Sequence, residues 1–400
     1  MEPKIRLKGF GGEWKTYKIG NLTSITTGAT PSTSISSYWD NGTIRWMSSG
    51  ELNNRHIYDV KGRITEDGYH SCGTHLIPPG CVLIGLAGQG KTRGTAAINH
   101  GELCTNQSIA ALLPNAQMFD SSYLYHYIDN KYLELRGMST GDGGRGGLNK
   151  QILLDFEVKL PSMEEQIALA SYFDSIDSLI QSTTKKIESL KQVKAASLQS
   201  MFPQEGETTP RVRFKGFEGE WEKVSLGSLF SERSEYDINA EMLSVTQNKG
   251  IIKAADNGRF DNSNNDKSKY KLVKVNDIAY NSMRMWQGAC GCSTLEGIVS
   301  PAYTVISPIG NLCSKFFYYM FKTNKMLKVF RLASQGLTSD TWNLKFPAFG
   351  KLKITYPYSI DEQIQIAAYF NSLDHQITLQ TQRLEKLKQI KAACLDNMFV

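Results

Sequence analysis

Two stretches of this chain carry apolar residues at helical spacing over a great length. In residues 163–202, and again in residues 360–399, apolar positions recur in steps of three, four and seven, with Lys and Glu beside them. This spacing is typical of one face of a long helix. Pro161 and Pro357 precede the two stretches and Pro203 follows the first, and proline is excluded from helix interiors. The pattern predicts two helices of about 40 residues, each roughly 60 Å long.

The apolar faces of these helices are expected to bury each other, because faces of that length do not stay hydrated. A globular region separates the two stretches in sequence, so the prediction is an antiparallel pair with one domain at each end. The residues predicted to form this helical spacer are Ile167, Phe173, Ile180, Ile187, Leu190, Ile364, Phe370, Ile377, Leu384 and Leu387. The alternative is that each helix packs only on its own domain.

The helical stretches belong to a longer repeat. Half of their aligned positions are identical, and the motif Arg-x-Lys-Gly-Phe-x-Gly-Glu-Trp stands before each, at residues 6–14 and 213–221. A period near two hundred residues indicates duplicated domains rather than a solenoid. The predicted fold is α+β, with two globular mixed α/β domains joined by two long antiparallel coiled-coil helices in a pseudo-twofold repeat. The predicted boundaries are 1–160 and 213–357 for the domains, 161–203 and 358–400 for the helices, and 204–212 for a linker.

The regions between the repeated segments differ in sequence but share an order of elements. Strand-like runs come first, then an aromatic-rich helical stretch, then a Gly- or Ser-rich loop and a short strand. Arg and Lys side chains in such loops match guanine edges, Asn and Gln match adenine, and Ser or Thr match either base or phosphate. The residues predicted to contact DNA are Gln89, Lys91, Arg93, Arg145, Asn281, Arg284, Gln287, Thr338 and Ser339.

Composition narrows the class of protein further. The 400 residues are 40% hydrophobic and 21% charged, with a formal net charge of +6, which permits an anionic partner. No run approaches the ~20 apolar residues of a membrane span, and the first residues lack the apolar region of a signal peptide. The seven cysteines have no framework spacing, so free thiols in the cytoplasm are expected.

One motif suggests an enzyme. The run from Gly85 to Thr92 fits the Walker A pattern and follows a strand-like segment. The residues after Thr92 are poor helix formers, whereas a phosphate cradle needs a helix that begins at the lysine. His70, Cys72 and His75 lie close in sequence, but no second cluster completes a metal site. We therefore predict no catalytic, cofactor or metal site, and keep an ATP-binding enzyme as an alternative.

The arrangement resembles the DNA-specificity subunit of type I restriction-modification systems. The resemblance covers essentially the whole chain. Its carriers are the motifs at residues 6–14 and 213–221, the Glu-Gln pairs at residues 165–166 and 362–363, and the Leu-Lys-Gln-x-Lys-Ala-Ala segments at residues 190–196 and 387–393.

This resemblance implies a non-catalytic subunit with two target-recognition domains held apart by the helices. Each domain would read one half of a bipartite site in double-stranded DNA. It also implies partners, namely two methyltransferase (modification) subunits that carry S-adenosylmethionine, and restriction or motor subunits that use ATP. A coiled-coil adaptor that does not bind DNA remains the second alternative.

Overall fold

The computed structural model describes residues 2–88, 92–139, 147–247, 250–258, 266–338 and 341–400. The chain divides into two compact units. The first holds Met1–Thr184 and Gln382–Val400, and the second holds Lys185–Thr381. Each unit therefore contains one variable region and a part of both long helices. None of the described helices combines the length and the apolar character that a membrane span requires.

The variable region of the first unit is mixed α/β. Its elements in chain order are β1 (Lys15–Lys18), α1 (Ile19–Leu22), β2 (Ile25–Thr27), β3 (Ile44–Met47), β4 (His56–Ile57), β5 (Gly62–Ile64), α2 (Glu66–His70), β6 (Val82–Gly85), β7 (Ala96–Asn99), β8 (Cys104–Thr105), β9 (Ile109–Leu112), α3 (Ser121–Asn130), α4 (Tyr132–Gly137), α5 (Lys150–Asp155) and β10 (Glu157–Leu160). The long helix α6 (Met163–Ser200) follows.

The second variable region is also mixed α/β. Its elements are β11 (Glu222–Ser225), α7 (Leu226–Leu229), β12 (Phe230–Glu232), β13 (Leu243–Thr246), β14 (Gly250–Lys253), β15 (Lys271–Val273), β16 (Ile278–Asn281), β17 (Cys290–Cys292), β18 (Gly297–Val299), β19 (Tyr303–Pro308), α8 (Ser314–Phe321), α9 (Asn324–Ala333), α10 (Phe346–Gly350) and β20 (Lys353–Tyr356). The second long helix is α11 (Ile360–Met398). Both long helices are thus confirmed.

The main sheets of the two units have the same strand order at four positions. The strand order is β2-β9-β6-β7-β4 in the first unit and β12-β19-β16-β17 in the second. The first four strands correspond in order and are antiparallel in both sheets. Strand β6 is buried along its whole length, which explains why its sequence reads as a continuous apolar run. A separate two-stranded pair, β1-β10 or β11-β20, joins the start of each variable region to its end.

Serine and glutamine side chains define where the long helices begin. Ser162 Oγ accepts a hydrogen bond from the backbone N–H of Glu165 at 3.4 Å, and Ser359 Oγ accepts one from Glu362 at 3.3 Å. These are N-cap contacts, which satisfy donors that the first turn leaves free. The glutamines that follow reach back to the variable regions, and the paired contacts are Gln166 with the N–H of Asp120 and Gln363 with the N–H of Cys313, both at 3.0 Å.

The repeated opening motif contacts the start of the long helix in each unit. Arg6 donates from Nε and Nη2 to the carboxylate of Glu165 at 2.8 and 2.7 Å. Arg213 donates in the same way to Glu362 at 2.7 and 2.8 Å. Both carboxylates are buried. In each unit, the opening motif and the start of the long helix are therefore joined by a bidentate ion pair. This geometry favours arginine over lysine.

Within each unit, the end of one long helix packs beside the start of the other. In the first unit, Tyr172 Oη lies 3.3 Å from Cys394 Sγ, and Lys391 Nζ donates to Asp177 at 2.7 Å. Residue numbers rise along one helix as they fall along the other, so these two segments are antiparallel. The second unit repeats the arrangement with the equivalent pairs Tyr369–Ser197 and Asp374–Lys194.

The predicted apolar stripe is wrong at its first position in both helices. Ile167 and Ile364 are 53% and 51% exposed, whereas Leu169, Ala170, Ile366 and Ala367 are buried. Ile167 and Phe173 are six residues apart, and each residue turns the helix by about 100°. Their side chains therefore point in directions that differ by roughly 120° around the helix axis. Of the other predicted spacer residues, Phe173, Ile187, Leu190 and Phe370 are buried, and Ile180, Ile377, Leu384 and Leu387 are partly buried.

A polar network fastens the end of α11 to the first unit. Asp177 accepts from Lys391 and lies 3.2 Å from His56 Nε2, and His56 Nδ1 lies 3.1 Å from His100 Nε2. Burial alone would raise the pKa of Asp177, but the bond with His56 and the charge of Lys391 lower this pKa to about 2. Burial and the neighbouring His56 lower the pKa of His100. The contacts of this network therefore favour a neutral His100 and an ionised Asp177.

A third histidine lies in the same region. His126 is fully buried, with Nε2 at 2.8 Å from Asp174 Oδ1, and its Nδ1 has no hydrogen-bond partner among the described residues. Burial lowers the pKa of His126. The equivalent position of the second unit holds Tyr319, which donates from Oη to Asp374 at 3.0 Å. Asp374 is the counterpart of Asp177, whereas Asn371 stands at the position of Asp174. The second unit therefore uses a tyrosine and a different carboxylate at this place.

Mild acid is expected to loosen the first unit before the second. His100 and His126 have folded pKa values below the ~6.5 of an unfolded chain, so their stabilisation is full above that pH and is lost as the pH falls below it. Asp177, with a folded pKa of about 2, loses its contribution only below about pH 4. Hydrogen exchange at pH 7.5 and 5.5, corrected for intrinsic rates, should show protection falling in residues 120–130 but not in residues 314–321.

The second unit supplies the matched control. Replacing His126 by tyrosine copies Tyr319 and should reduce the pH dependence of the first unit to the part that His100 contributes, since no proton is then taken up at residue 126. The single histidine of the second unit, His375, is exposed. Equal loss of protection in both units on acidification would contradict this account.

Candidate nucleic-acid interface

Two predicted loops meet in the first unit. The connection from β6 to β7 leaves the sheet after Gly85, and Gly94 N–H donates back to Gly85 O at 2.8 Å. The chain that follows the Gly-rich segment returns beside it, because Leu148 N–H donates to Leu86 O at 2.9 Å. Gln89, Lys91 and Arg145 lie outside the described residues. The described ends of both loops nevertheless stand side by side.

The second unit places its two loops in the same way. The connection from β16 to β17 leaves the sheet after Asn281, and Leu344 N–H donates to Ser282 O at 2.8 Å. Leu344 thus occupies the place that Leu148 holds in the first unit. Trp286 in one loop packs edge-on against Trp342 in the other, with ring centroids 5.3 Å apart. The second unit therefore presents one composite surface made of two loops, and the described loop ends of the first unit follow the same arrangement.

The predicted contact residues of the second unit have different roles. Asn281 Oδ1 accepts from the N–H of Met283 at 2.9 Å, so it shapes the turn. Arg284 is exposed, and its Nη1 lies 3.4 Å from Gln287 Oε1. The Thr338 hydroxyl lies 3.3 Å from that of Thr341, and Ser339 lies outside the described residues. Arg284 and Gln287 are thus the groups that this loop offers to a partner.

A lysine that the sequence did not single out supports this loop. Lys322 extends from the end of α8, and its Nζ donates to Gly288 O at 2.8 Å and to Gln247 O at 2.7 Å. Gln247 in turn donates from Nε2 to Gln287 O at 2.9 Å. Burial lowers the pKa of Lys322. Nothing in the sequence distinguishes Lys322 from a surface lysine, since its role depends on a chain segment 75 residues away.

Three exposed cations lie on the two loops of the second unit or next to them in sequence. Arg284, Arg331 and Lys345 are exposed, and none of the three forms an ion pair with another described residue. Arg331 lies at the end of α9, and Lys345 follows the loop that contains Thr338. Asp340, in the same loop, lies outside the described residues. Exposed cations favour an anionic ligand such as a phosphate backbone.

Arg93 and the Walker-like loop differ from a phosphate site. Arg93 is only 9% exposed, so its side chain lies below the surface on which it was predicted. From Thr92 the chain passes through a turn at Arg93 and Gly94 into strand β7. The described part of this loop is thus the connection of an antiparallel hairpin, without the helix start that a nucleotide cradle requires. The ATP-binding alternative loses its structural basis.

A family model and two similar proteins all indicate the same family for this chain. A model of the type I restriction modification DNA specificity domain matches the chain twice, at residues 11–192 and 218–389. The type I restriction enzyme MjaIX specificity subunit of Methanocaldococcus jannaschii is 31% identical over 189 residues, which are 45% of this chain and 42% of that protein. The EcoR124I/EcoR124II specificity subunit of Escherichia coli is 27% identical over 176 residues, 43% of each chain. Both alignments span less than half of the relative.

Two solved structures share the fold over nearly the whole chain. The type I restriction-modification S subunit from M. genitalium superposes with a TM-score of 0.68 at 15% identity, covering 100% of this chain and 99% of that one. A chain from a structure on the assembly and conformational transition of the type I R-M system gives a TM-score of 0.51 at 14% identity, with coverage of 97% and 98%. These similarities extend to both units and both long helices.

Proposed function

Because this chain belongs to the type I restriction modification DNA specificity family, we propose that it is a sequence-reading subunit that binds double-stranded DNA. Each unit reads one half of a bipartite target, and the two long helices hold the readers at a fixed separation. The chain itself performs no catalysis. It directs other subunits to the site that it recognises.

The observation that carries this proposal is the contrast between scaffold and loops. Equivalent residues build both units, including the ion pairs at Glu165 and Glu362 and the glutamine contacts beside them. The loops that this scaffold presents differ in sequence in the two units. A protein that reads two different half-sites needs this combination, whereas an adaptor that does not bind DNA has no use for divergent basic loops.

The side chains at the surface suit base recognition. Arginine binds the O6 and N7 of guanine with two hydrogen bonds, and glutamine binds the N6 and N7 of adenine. Arg284 and Gln287 offer these groups side by side, and the exposed Arg331 and Lys345 are proposed to contact phosphates. The net charge of +6 is modest for a DNA-binding protein, so partner subunits supply further positive surface in the assembled complex.

The proposed partners are two methyltransferase subunits, which carry S-adenosylmethionine, and restriction or motor subunits, which hydrolyse ATP. A partner present in two copies needs two equivalent docking surfaces. Ile167 and Ile364 occupy equivalent positions of α6 and α11 and are exposed to nearly the same degree, as such docking requires. The complex acts on cellular DNA, so the cytoplasm is the proposed location.

An exchange of variable regions tests the proposal. Replacing residues 15–160 by the counterpart from a relative should change one half of the methylated sequence and leave the other half unchanged. The motif is read by methylome sequencing of cells that express the chimera with its methyltransferase. The ion pair at Glu165 lies outside the exchanged region, so the unit should still fold.

The reciprocal exchange, of residues 222–356, should change only the other half of the motif. Each chimera thus serves as the control for the other. A change of both halves by one exchange, or a methylated motif without two parts, would refute the model of two independent readers.

A further inference from the structure

The composite surface of the second unit carries a leucine that nothing covers. Leu337 has a relative exposure of 101%, so its side chain stands clear of all described neighbours. It lies in the loop between α9 and α10, directly before Thr338. An isolated exposed leucine needs no explanation on most surfaces. Leu337, however, lies in a loop that packs through Trp342 against the loop of Arg284, which makes it a candidate contact.

The loop around Leu337 is ordered by hydrogen bonds on both sides. Gln335 N–H donates to Asn343 O at 3.0 Å, and Asn343 N–H donates back to Gln335 O at 2.8 Å. Thr341 N–H and Trp342 N–H both donate to Thr338 O, at 3.0 and 3.1 Å. These contacts close the base of the loop on both sides of Leu337.

Tight packing restricts the loop further at Gly336. This glycine has φ of +147°, and a Cβ placed on it would lie 2.6 Å from Thr341 O. No larger residue fits there without moving the backbone. Leu337 is therefore held outward by the conformation of the residue before it, and its exposure is a property of the folded loop.

The same loop is coupled to the one that carries Arg284. Trp342 packs against Trp286, whose Nε1 donates to Met283 O at 3.0 Å. The two tryptophans thus form a rigid base between the loops. Whatever binds Arg284 is brought close to the loop of Leu337. Met283, in the same turn as Arg284, is a second exposed apolar side chain.

A ligand for this surface must combine negative charge with a small apolar group. Arg284, Arg331 and Lys345 require an anion, while Leu337 gains only from contact with apolar atoms. The edge of a base pair in the major groove presents one apolar group, the C5-methyl group of thymine. Phosphates flank that methyl group on both strands.

Resting on the proposed function, we infer that Leu337 reads thymine by packing on its C5-methyl group, in the half-site bound by the second unit. Arg284 contacts the same half-site, and the tryptophan pair fixes the spacing between the two contacts. The methyl group is the feature that separates thymine from uracil, so removing it isolates this single contact. Its loss should weaken binding about three- to fivefold, the change expected from burying one methyl group.

The experiment uses the assembled complex with its methyltransferase subunits and duplexes that carry the target defined by methylome sequencing. Each thymine of the second half-site is replaced in turn by deoxyuridine, and affinity is measured for the wild type and for Leu337→Ala. The wild type should lose about three- to fivefold at one position. Leu337→Ala should bind the thymine duplex more weakly by a similar factor and show no further loss with deoxyuridine there.

Ile309→Ala is the matched control, because Ile309 is an exposed apolar residue of the second unit outside both loops. This variant should keep the full thymine preference. A duplex of scrambled sequence tests the proposed function in the same assay, since a complex that fails to prefer the target refutes the function itself.

Three results would overturn the inference while leaving the function intact. The first is a second half-site without thymine. The second is a Leu337→Ala complex that loses affinity equally for thymine and deoxyuridine at every position. The third is a Leu337→Ala chain that no longer assembles with its methyltransferase, measured by size-exclusion chromatography with light scattering, which would make Leu337 a contact to protein.

Discussion

Replacing Arg213 by methionine is expected to destabilise the second unit by about 3 kcal/mol. The carboxylate of Glu362 is 1% exposed and receives two hydrogen bonds from Arg213. Without the arginine, the one hydrogen bond left to this buried carboxylate among the described residues comes from Nε1 of Trp221 at 3.3 Å. We place the cost at the lower end of the range for broken buried pairs because the Arg213 side chain is 17% exposed. The effect is measured by unfolding the protein in denaturant, with hydrogen exchange as the readout for each unit.

A second substitution distinguishes charge burial from lost packing. Adding Glu362→Gln to Arg213→Met removes the stranded charge but keeps an oxygen that accepts from Trp221, so most of the stability should return. Arg6→Met should produce the same loss in the first unit through Glu165. If the double variant is no more stable than Arg213→Met, the ion pair is not what the arginine contributes.

Replacing Phe399 by alanine is expected to destabilise the first unit by about 3–5 kcal/mol, the usual cost of deleting a buried phenylalanine. Its ring lies among those of Trp14, Tyr123, Tyr127 and Phe173, with centroid distances between 5.3 and 6.3 Å. Phe399 follows the last turn of α11, so its loss should also release this helix end. Hydrogen exchange should report lost protection in residues 385–398 and in α3.

The equivalent residue of the second unit is Phe202, which packs against Trp221, Phe316 and Phe370. Phe202→Ala should destabilise the second unit by a similar amount and leave α3 protected. This pair of variants tests whether each unit depends on the helix end that it receives. Loss of protection in the same unit for both variants would contradict that dependence.

Much of this architecture was predictable because the sequence repeats itself. The helical stripes, the flanking prolines and the order of elements predicted both long helices and the correspondence of the two variable regions. The loops containing Arg284 and Thr338 were both predicted to contact DNA, and the structure brings their described residues side by side. The contact between Arg6 and Glu165 could have been inferred too, since two motifs that recur together often touch.

The features that the sequence did not reveal depend on angles and on distant backbone. Ile167 fits a list of apolar positions by spacing, but the helix turns it to the exposed side. Arg93 looks like a surface cation in a Gly-rich loop, yet the hairpin places it below the surface. Lys322 acts through carbonyl groups of two loops remote in sequence. Local patterns carry no information on such contacts.

The hydrogen bond from Ile5 N–H to Asn397 O, at 2.9 Å, has a counterpart from Val212 N–H to Ser200 O at the same distance. Each half of the chain enters its unit along the last turn of the helix that the other half contributes. Half the sequence therefore encodes a unit that lacks its helical cap. A half-length chain could therefore complete its core only by exchanging helix ends with a second copy of itself.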